Sequence, residues 1–142
     1  MPDIDYRISP PLGDILLNRL YASVWPDHRE REFQRVLERS LAYVGAFDAE
    51  DVLIGFVYIA WDGGAHAFLL EPTVLPEHRN RGIGTSLIRH AAREAADAGA
   101  EWLHVDYLPS LEPFYTRVGF TPTRGGLMQI APNRRMKGDP RS

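Results

Sequence analysis

The stretch Thr73-Val74-Leu75-Pro76-Glu77-His78-Arg79-Asn80-Arg81-Gly82-Ile83-Gly84-Thr85 joins the end of an apolar, β-prone run to a basic, glycine-spaced loop that opens into a helical pattern. Such a junction is suited to a pyrophosphate. Backbone N–H groups at the helix N-terminus, the positive end of its dipole and nearby guanidinium groups all face one anion. The glycine spacing then separates the phosphate carriers. A nucleoside triphosphate loop needs Gly-x-x-x-x-Gly-Lys-Ser/Thr, and the only lysine of the chain is Lys137. A dinucleotide fingerprint needs Gly-x-Gly-x-x-Gly, and Leu87 occupies the place of the third glycine. The pattern that remains is Arg79-x-x-Gly82-x-Gly84.

Upstream of this loop, Ile4 to Ile8 reads as a short strand, and Leu12, Ile15, Leu16, Leu20 and Val24 recur at helical spacing. Asp27 with Glu30 three residues on predicts a capping box for a second helix carrying Phe33, Val36 and Leu37. Leu41 to Phe47 and Val52 to Trp61 predict a hairpin, and Asp62-Gly63-Gly64 turns the chain into a third strand, Ala65 to Leu75. Pro72 falls inside that strand and cannot donate a ladder hydrogen bond, so a bulge or parting is expected near Glu71 to Val74. Downstream, Ile83, Leu87, Ile88, Ala91, Ala92 and Ala95 give one apolar helix face that Gly99 closes. Glu101 to Tyr107 predicts a strand, Leu111 to Val118 a short helix, Gly119-Phe120 the start of another strand, and Leu127 to Ala131 the close of a terminal hairpin. From Pro132 the sequence predicts a basic, poorly ordered tail.

With 142 residues, 44% hydrophobic and 25% charged, the chain has the composition of one globular domain. A net charge of -3 argues against nucleic acid as the main partner. The absence of cysteine excludes a disulfide framework, a thiolate nucleophile and cysteine-based zinc. The five histidines form no His-x-x-x-His pair, so no metal site is expected, and no Gly-x-Ser-x-Gly elbow is present. The first residues lack a secretory pattern, and the longest apolar run is too short for a membrane span, so a cytoplasmic protein without membrane contact is expected.

Arg79-x-x-Gly82-x-Gly84, with its Val74 to Pro76 lead-in, resembles the Gln/Arg-x-x-Gly-x-Gly/Ala acetyl-coenzyme A signature of the GNAT superfamily of N-acetyltransferases. Glu112-Pro113-Phe114-Tyr115-Thr116-Arg117-Val118-Gly119-Phe120 resembles the late Phe-Tyr-x-x-x-Gly-Phe segment of the same family. The order of elements is similar to the GNAT fold from roughly Ile4 to Ala131. The resemblance implies an α/β domain over residues 1–131, with a mixed, mostly antiparallel central sheet flanked by helices, and a tail over 132–142. It also implies acetyl-CoA as co-substrate without a metal. The pantetheine arm would lie beside Thr73, Val74 and Leu75, and the pyrophosphate on Arg79, Asn80, Arg81, Gly82, Ile83, Gly84 and Thr85. Many family members carry an asparagine before the late helix. This chain has Pro109-Ser110, and Ser110 is the candidate replacement.

Moving an acetyl group from a thioester to an amine requires an unprotonated amine, a stabilised oxyanion and a leaving thiolate. A backbone N–H near Val74 suits the oxyanion. Tyr115 holds the position of the family's general acid, and a phenol is protonated at neutral pH. Glu71, beside the expected bulge, is one candidate base, and some family members use a glutamate on this strand. Asp106 with His104 is its rival, since both share a strand face with Trp102. Direct transfer to a primary amine, on a small molecule or a protein, is the expected activity. A catalytically silent CoA-binding module and a plain nucleotide-binding domain are the alternatives. Dimers are common in the family, and the sequence marks no interface.

Overall fold

The computed structural model describes residues 3–131. Five strands form one sheet in the order β1-β2-β3-β4-β5: β1 is Asp5–Ile8, β2 Ala42–Phe47, β3 Leu53–Trp61, β4 His66–Val74 and β5 Trp102–His104. The first four pair antiparallel and β5 runs parallel to β4, so the sheet is mixed and mostly antiparallel. Helices α1 (Asp14–Val24) and α2 (Gln34–Arg39) separate β1 from β2. Helix α3 (Ile83–Asp97) makes the crossover that a parallel β4/β5 pair needs. Helix α4 (Glu112–Val118) follows β5.

Both faces of the sheet are covered. Ile83, Leu87, Ile88, Ala91 and Ala95 of α3 bury against Val44, Ala46, Val57 and Ile59. Leu17, Leu20 and Tyr21 of α1 pack with Phe33, Leu37 and Phe56 on the opposite side. Sheet strands covered on both faces read as continuous apolar runs, as Leu53 to Ile59 does. Among the described residues no helix is long and apolar enough to cross a membrane.

The bulge at Pro72 is present. Thr73 pairs with Phe56 and Leu70 with Tyr58, so the single residue Val57 faces both Glu71 and Pro72, and Glu71 takes a left-handed φ of 49°. Two residues against one is the definition of a bulge, and a residue without an N–H is accommodated there.

Other expectations are corrected. Ile15 of α1 points to solvent, and the helix buries Leu17, Leu20 and Tyr21 instead. No capping box forms at Asp27. The second helix starts seven residues later without a side-chain cap, and Asp14 Oδ1 of α1 holds its start by accepting from the Phe33 N–H (3.0 Å) and from the Gln34 side-chain Nε2 (2.9 Å). The fifth strand is shorter than Glu101 to Tyr107. The terminal hairpin is absent: Phe120 donates its N–H back to the Tyr115 carbonyl, and residues 120–130 form no strand. The basic tail from Pro132 lies outside the described residues.

Asn18 holds the long α1–α2 connection. Its Oδ1 accepts the Arg31 N–H at 2.9 Å, while its Nδ2 donates to the carbonyls of Asp14 (2.9 Å) and Arg31 (2.8 Å). That assignment makes His28 Nε2, 2.8 Å from the same Oδ1, a donor. Asn18→Leu therefore strands several buried polar groups at once. Urea unfolding should show a loss of about 2–3 kcal/mol.

Candidate active site

β4 and β5 pair at His66–Trp102, Ala67–Leu103 and Phe68–His104, and then the ladder stops. From Leu69 to Val74, β4 keeps only its β3 neighbour, so its other edge opens into a cleft. Trp25, Glu71, His104, Asp106, Tyr107 and Tyr115 line it. All four candidate catalytic side chains thus border one space, although they come from three separate parts of the chain.

Tyr115 is 6% exposed. Its ring stacks on Tyr107 with centroids 4.7 Å apart, and meets Phe114 and Phe120 edge-on. Burial, reinforced by the charges of Asp106 and Tyr107, pushes its phenol up to about 12. The hydroxyl is therefore protonated over the whole neutral range. Asp106 lies beyond the end of β5, and its charge acts on Tyr115. His104 does not pair with it. Its Nε2 lies 2.8 Å from His66 Nδ1, and its ring stacks on Phe68 at 4.7 Å.

Glu71 sits at the apex of the bulge and accepts a 2.8 Å hydrogen bond from Arg31 Nη2. Arg31 is held in turn over the rings of Phe33 (4.4 Å) and Tyr21 (5.0 Å). Burial works against the Arg31 charge, but the Glu71 carboxylate outweighs it and the guanidinium pKa is raised. Burial first, then the Glu71 charge, pushes the Tyr21 phenol well up. Arg31 lies 40 positions before Glu71 in a run of mixed charges, and no local pattern distinguishes it from Arg29 or Arg35.

The phosphate-loop candidates occupy the next stretch. Pro76–His78 form one 3-10 turn, then Arg79, Asn80, Arg81 and Gly82 are exposed and lead into α3. Asn80 (φ 62°) and Gly82 (φ 78°) are left-handed, and no side chain caps the helix. Its first N–H groups, including those of Ile83, Gly84 and Thr85, lack intrahelical acceptors by the geometry of any helix start. A Cβ at Gly84 would stand 3.6 Å from Phe114 and 4.0 Å from Val74, which is ordinary contact. The loop, the end of β4 and α4 therefore converge. Thr73 is buried, with its hydroxyl donating to the Glu71 carbonyl at 2.8 Å, so its side chain is engaged within the fold. Ser110 is exposed in the 3-10 turn Pro109–Leu111 before α4. Among the described residues no three His, Asp or Glu side chains gather around a common metal position.

A strand left unpaired beside a bulge, an uncapped helix at the end of the same strand and a buried tyrosine at the gap together form one cleft. Residues 14–120 match the acetyltransferase (GNAT) family model, and the chain belongs to that family. Among curated proteins none matches it. A GNAT family acetyltransferase from Streptococcus pneumoniae superposes with a TM-score of 0.77 at 21% identity, over 92% of this chain and 99% of the other. An aminoglycoside N-acetyltransferase in complex with CoA gives 0.72 at 21%, over 93% and 97%. Glucosamine-6-phosphate N-acetyltransferase from Arabidopsis thaliana gives 0.68 at 12%, over 88% and 97%. At these identities the likeness shows the fold.

The raised Tyr115 pKa has a consequence for stability. Below about pH 10 folded and unfolded chains both keep the phenolic proton, and between about 10 and 12 only the folded one does. Stability should therefore fall by roughly 2–3 kcal/mol across that window. Urea titrations between pH 9 and 11 should show a shallower decline in Tyr115→Phe.

Proposed function

We propose that this protein transfers the acetyl group of acetyl-CoA to a primary amine, by direct attack within a ternary complex. The carrying observation is the unpaired β4 edge beyond Phe68, lying between an uncapped α3 and the buried phenol of Tyr115. The residues fit the donor. Gly84 is not required by packing within the fold, so close approach of a pyrophosphate is the reason for it. Arg79 and Arg81 flank the α3 N-terminus and supply charge. The open edge from Leu69 to Val74 suits an arm bearing amides, which pair as an added strand does. The backbone at Val74 then serves the oxyanion. Bound there, acetyl-CoA supplies an activated acyl group, and a chain without cysteine has no thiol to carry it in between.

Tyr115 donates its phenolic hydrogen to the charge that builds on the departing sulfur. A thiol near 8.5 and a phenol near 12 differ by about 3.5 units, so complete proton transfer at rest is uphill. The contribution is a strong hydrogen bond formed as the charge develops. Burial first, and the Asp106 charge after it, hold the phenol in its protonated form. Glu71, fixed by Arg31 at the bulge, receives the acceptor amine and is the base of this reading, with His104 and Asp106 held in reserve. Solved relatives described as acting on aminoglycosides and on glucosamine 6-phosphate support an amine acceptor.

Calorimetry should show acetyl-CoA binding that ATP does not displace. No binding at about 1 mM ligand overturns the reading. An acetylation screen over sugar amines, polyamines, amino acids and peptides, following thiol release, should find turnover. Binding without turnover on any of them would favour a silent CoA-binding module. Tyr115→Phe should lower kcat by about a hundredfold with acetyl-CoA affinity unchanged. Arg79→Ala combined with Arg81→Ala should weaken acetyl-CoA about tenfold, more at low salt, and leave kcat at saturation intact.

A further inference from the structure

Leu70, the residue before Glu71, borders both the cleft and a second, shallower depression walled by Arg35 and Arg39 of α2 and floored by Tyr58 and Ala60 of β3. The Glu71 carboxylate and this depression share one face of the sheet. Leu70 pairs with Tyr58, and residues opposite one another project to the same side. Tyr58 packs against the α1–α2 core, with its ring centroid 6.0 Å from that of Phe56. The Glu71 carboxylate is drawn to that side too, because its partner Arg31 rests on Phe33 and Tyr21 of the same core. From the carboxylate, an apolar floor of Leu70, Tyr58 and Ala60 thus leads to two guanidinium groups. Stability of the fold does not account for that pair. Like charges at positions i and i+4 of a helix repel. Arg35 also stands in the first turn of α2, at the positive end of its dipole, and only Arg39, in the last turn, is favourably placed. Both are exposed, and among the described residues neither forms an ion pair, although Glu32 and Glu38 are close in sequence. An anion held between them offsets both penalties.

We propose that this depression is an acceptor subsite, and that the acceptor is a primary amine carrying an anionic group, a carboxylate or a phosphate, which Arg35 and Arg39 bind while the amine lies at Glu71. The inference rests on the acetyl-transfer reading and gives its acceptor a charge at each end, the ammonium toward Glu71 and Asp106 and the anion toward α2. In the transfer the C–N bond forms as the C–S bond breaks. One ammonium proton leaves through Glu71, a second ends on the CoA sulfur, and the anionic group is unchanged in the amide product. Because the two arginines stand away from the reacting bond, they hold ground state and transition state alike and set the choice among acceptors. Their charge also repels polyamines, which present a cation at both ends.

Calorimetry on the full chain saturated with CoA, which has no acetyl group to give, reads acceptor binding without turnover. The probes are ω-amino carboxylates and ω-aminoalkyl phosphates of increasing length, each set against its neutral counterpart, the ω-amino amide or the ω-amino alcohol. At the best length the anionic amine should bind about tenfold tighter than the neutral one, and whichever series leads identifies the anion. Arg35→Gln combined with Arg39→Gln should erase that preference with CoA affinity and far-ultraviolet circular dichroism unchanged, since both side chains are exposed. Equal or absent binding of anionic and neutral amines at every length, a preference that survives the double substitution, or inorganic phosphate bound as tightly as the aminoalkyl phosphates would each overturn the subsite. A chain that fails to bind CoA loses the acetyl-transfer reading and this inference with it, whereas one that binds CoA and acetylates amines without regard to their anion loses this inference alone.

Discussion

The missing N–H of Pro72 is the constraint on which the site depends. A central strand that meets a residue unable to donate must either lose a rung or accommodate an extra residue. β4 does the latter: Val57 faces Glu71 and Pro72 together, and Glu71 takes a left-handed backbone that only the bulge makes tolerable. A bulge bends its strand and increases local twist, and this one follows the last residue of β4 that pairs with β5, Phe68, by three to four positions. The β4–β5 ladder ends at Phe68–His104, and the gap beyond it is the cleft. The bulge and the free edge thus fall on the same end of β4, where α3 begins and α4 returns.

The polar scaffold beneath α1 serves the same place by a different means. The connection from Trp25 to Phe33 has no regular secondary structure, so its backbone groups must find side-chain partners. Asn18 and Asp14, one turn apart on α1, supply them. They fix Arg31, whose guanidinium reaches across to Glu71 while resting on Tyr21 and Phe33. A half-buried ion pair is weak evidence for stability. Its value here is geometric, because it orients the Glu71 carboxylate at the bulge.

How much of this is legible in sequence depends on the range of the forces involved. The Pro72 bulge was readable because a proline's missing donor is a local property, and the helix start at Gly82 because left-handed backbone is a glycine habit. The hairpin at Asp48 and the turn at Asp62 were readable for the same reason, since each aspartate bonds to backbone two and four residues on. The Asp27 capping box failed because the helix begins only at Gln34, where a remote residue, Asp14, binds the Phe33 N–H and the Gln34 side chain. Ile15 misled because α1 is apolar on more than one side, and tertiary packing chose Leu17 and Tyr21. The Arg31–Glu71 pair spans 40 positions and leaves no periodic signal. The terminal strand was expected on propensity, yet a strand exists only through its neighbour, and residues 120–131 pair with none.

Electrostatics divides the cleft into ends with distinct tasks. At the α3 end, arginines and an uncapped helix favour negative charge. At the opposite end, Asp106 beside Tyr115 and Glu71 beside Arg31 place two carboxylates in different company. The first adds its charge to the burial that raises the Tyr115 phenol, and both favour the protonated donor. The second is matched by a guanidinium, so it stays anchored and presents a fixed dipole to the gap. A polar environment that is set before any ligand arrives needs no rearrangement when charge appears in it. Here that preorganisation comes from aromatic burial around Tyr115 and Arg31, and both depend on side chains that the two cores hold in place.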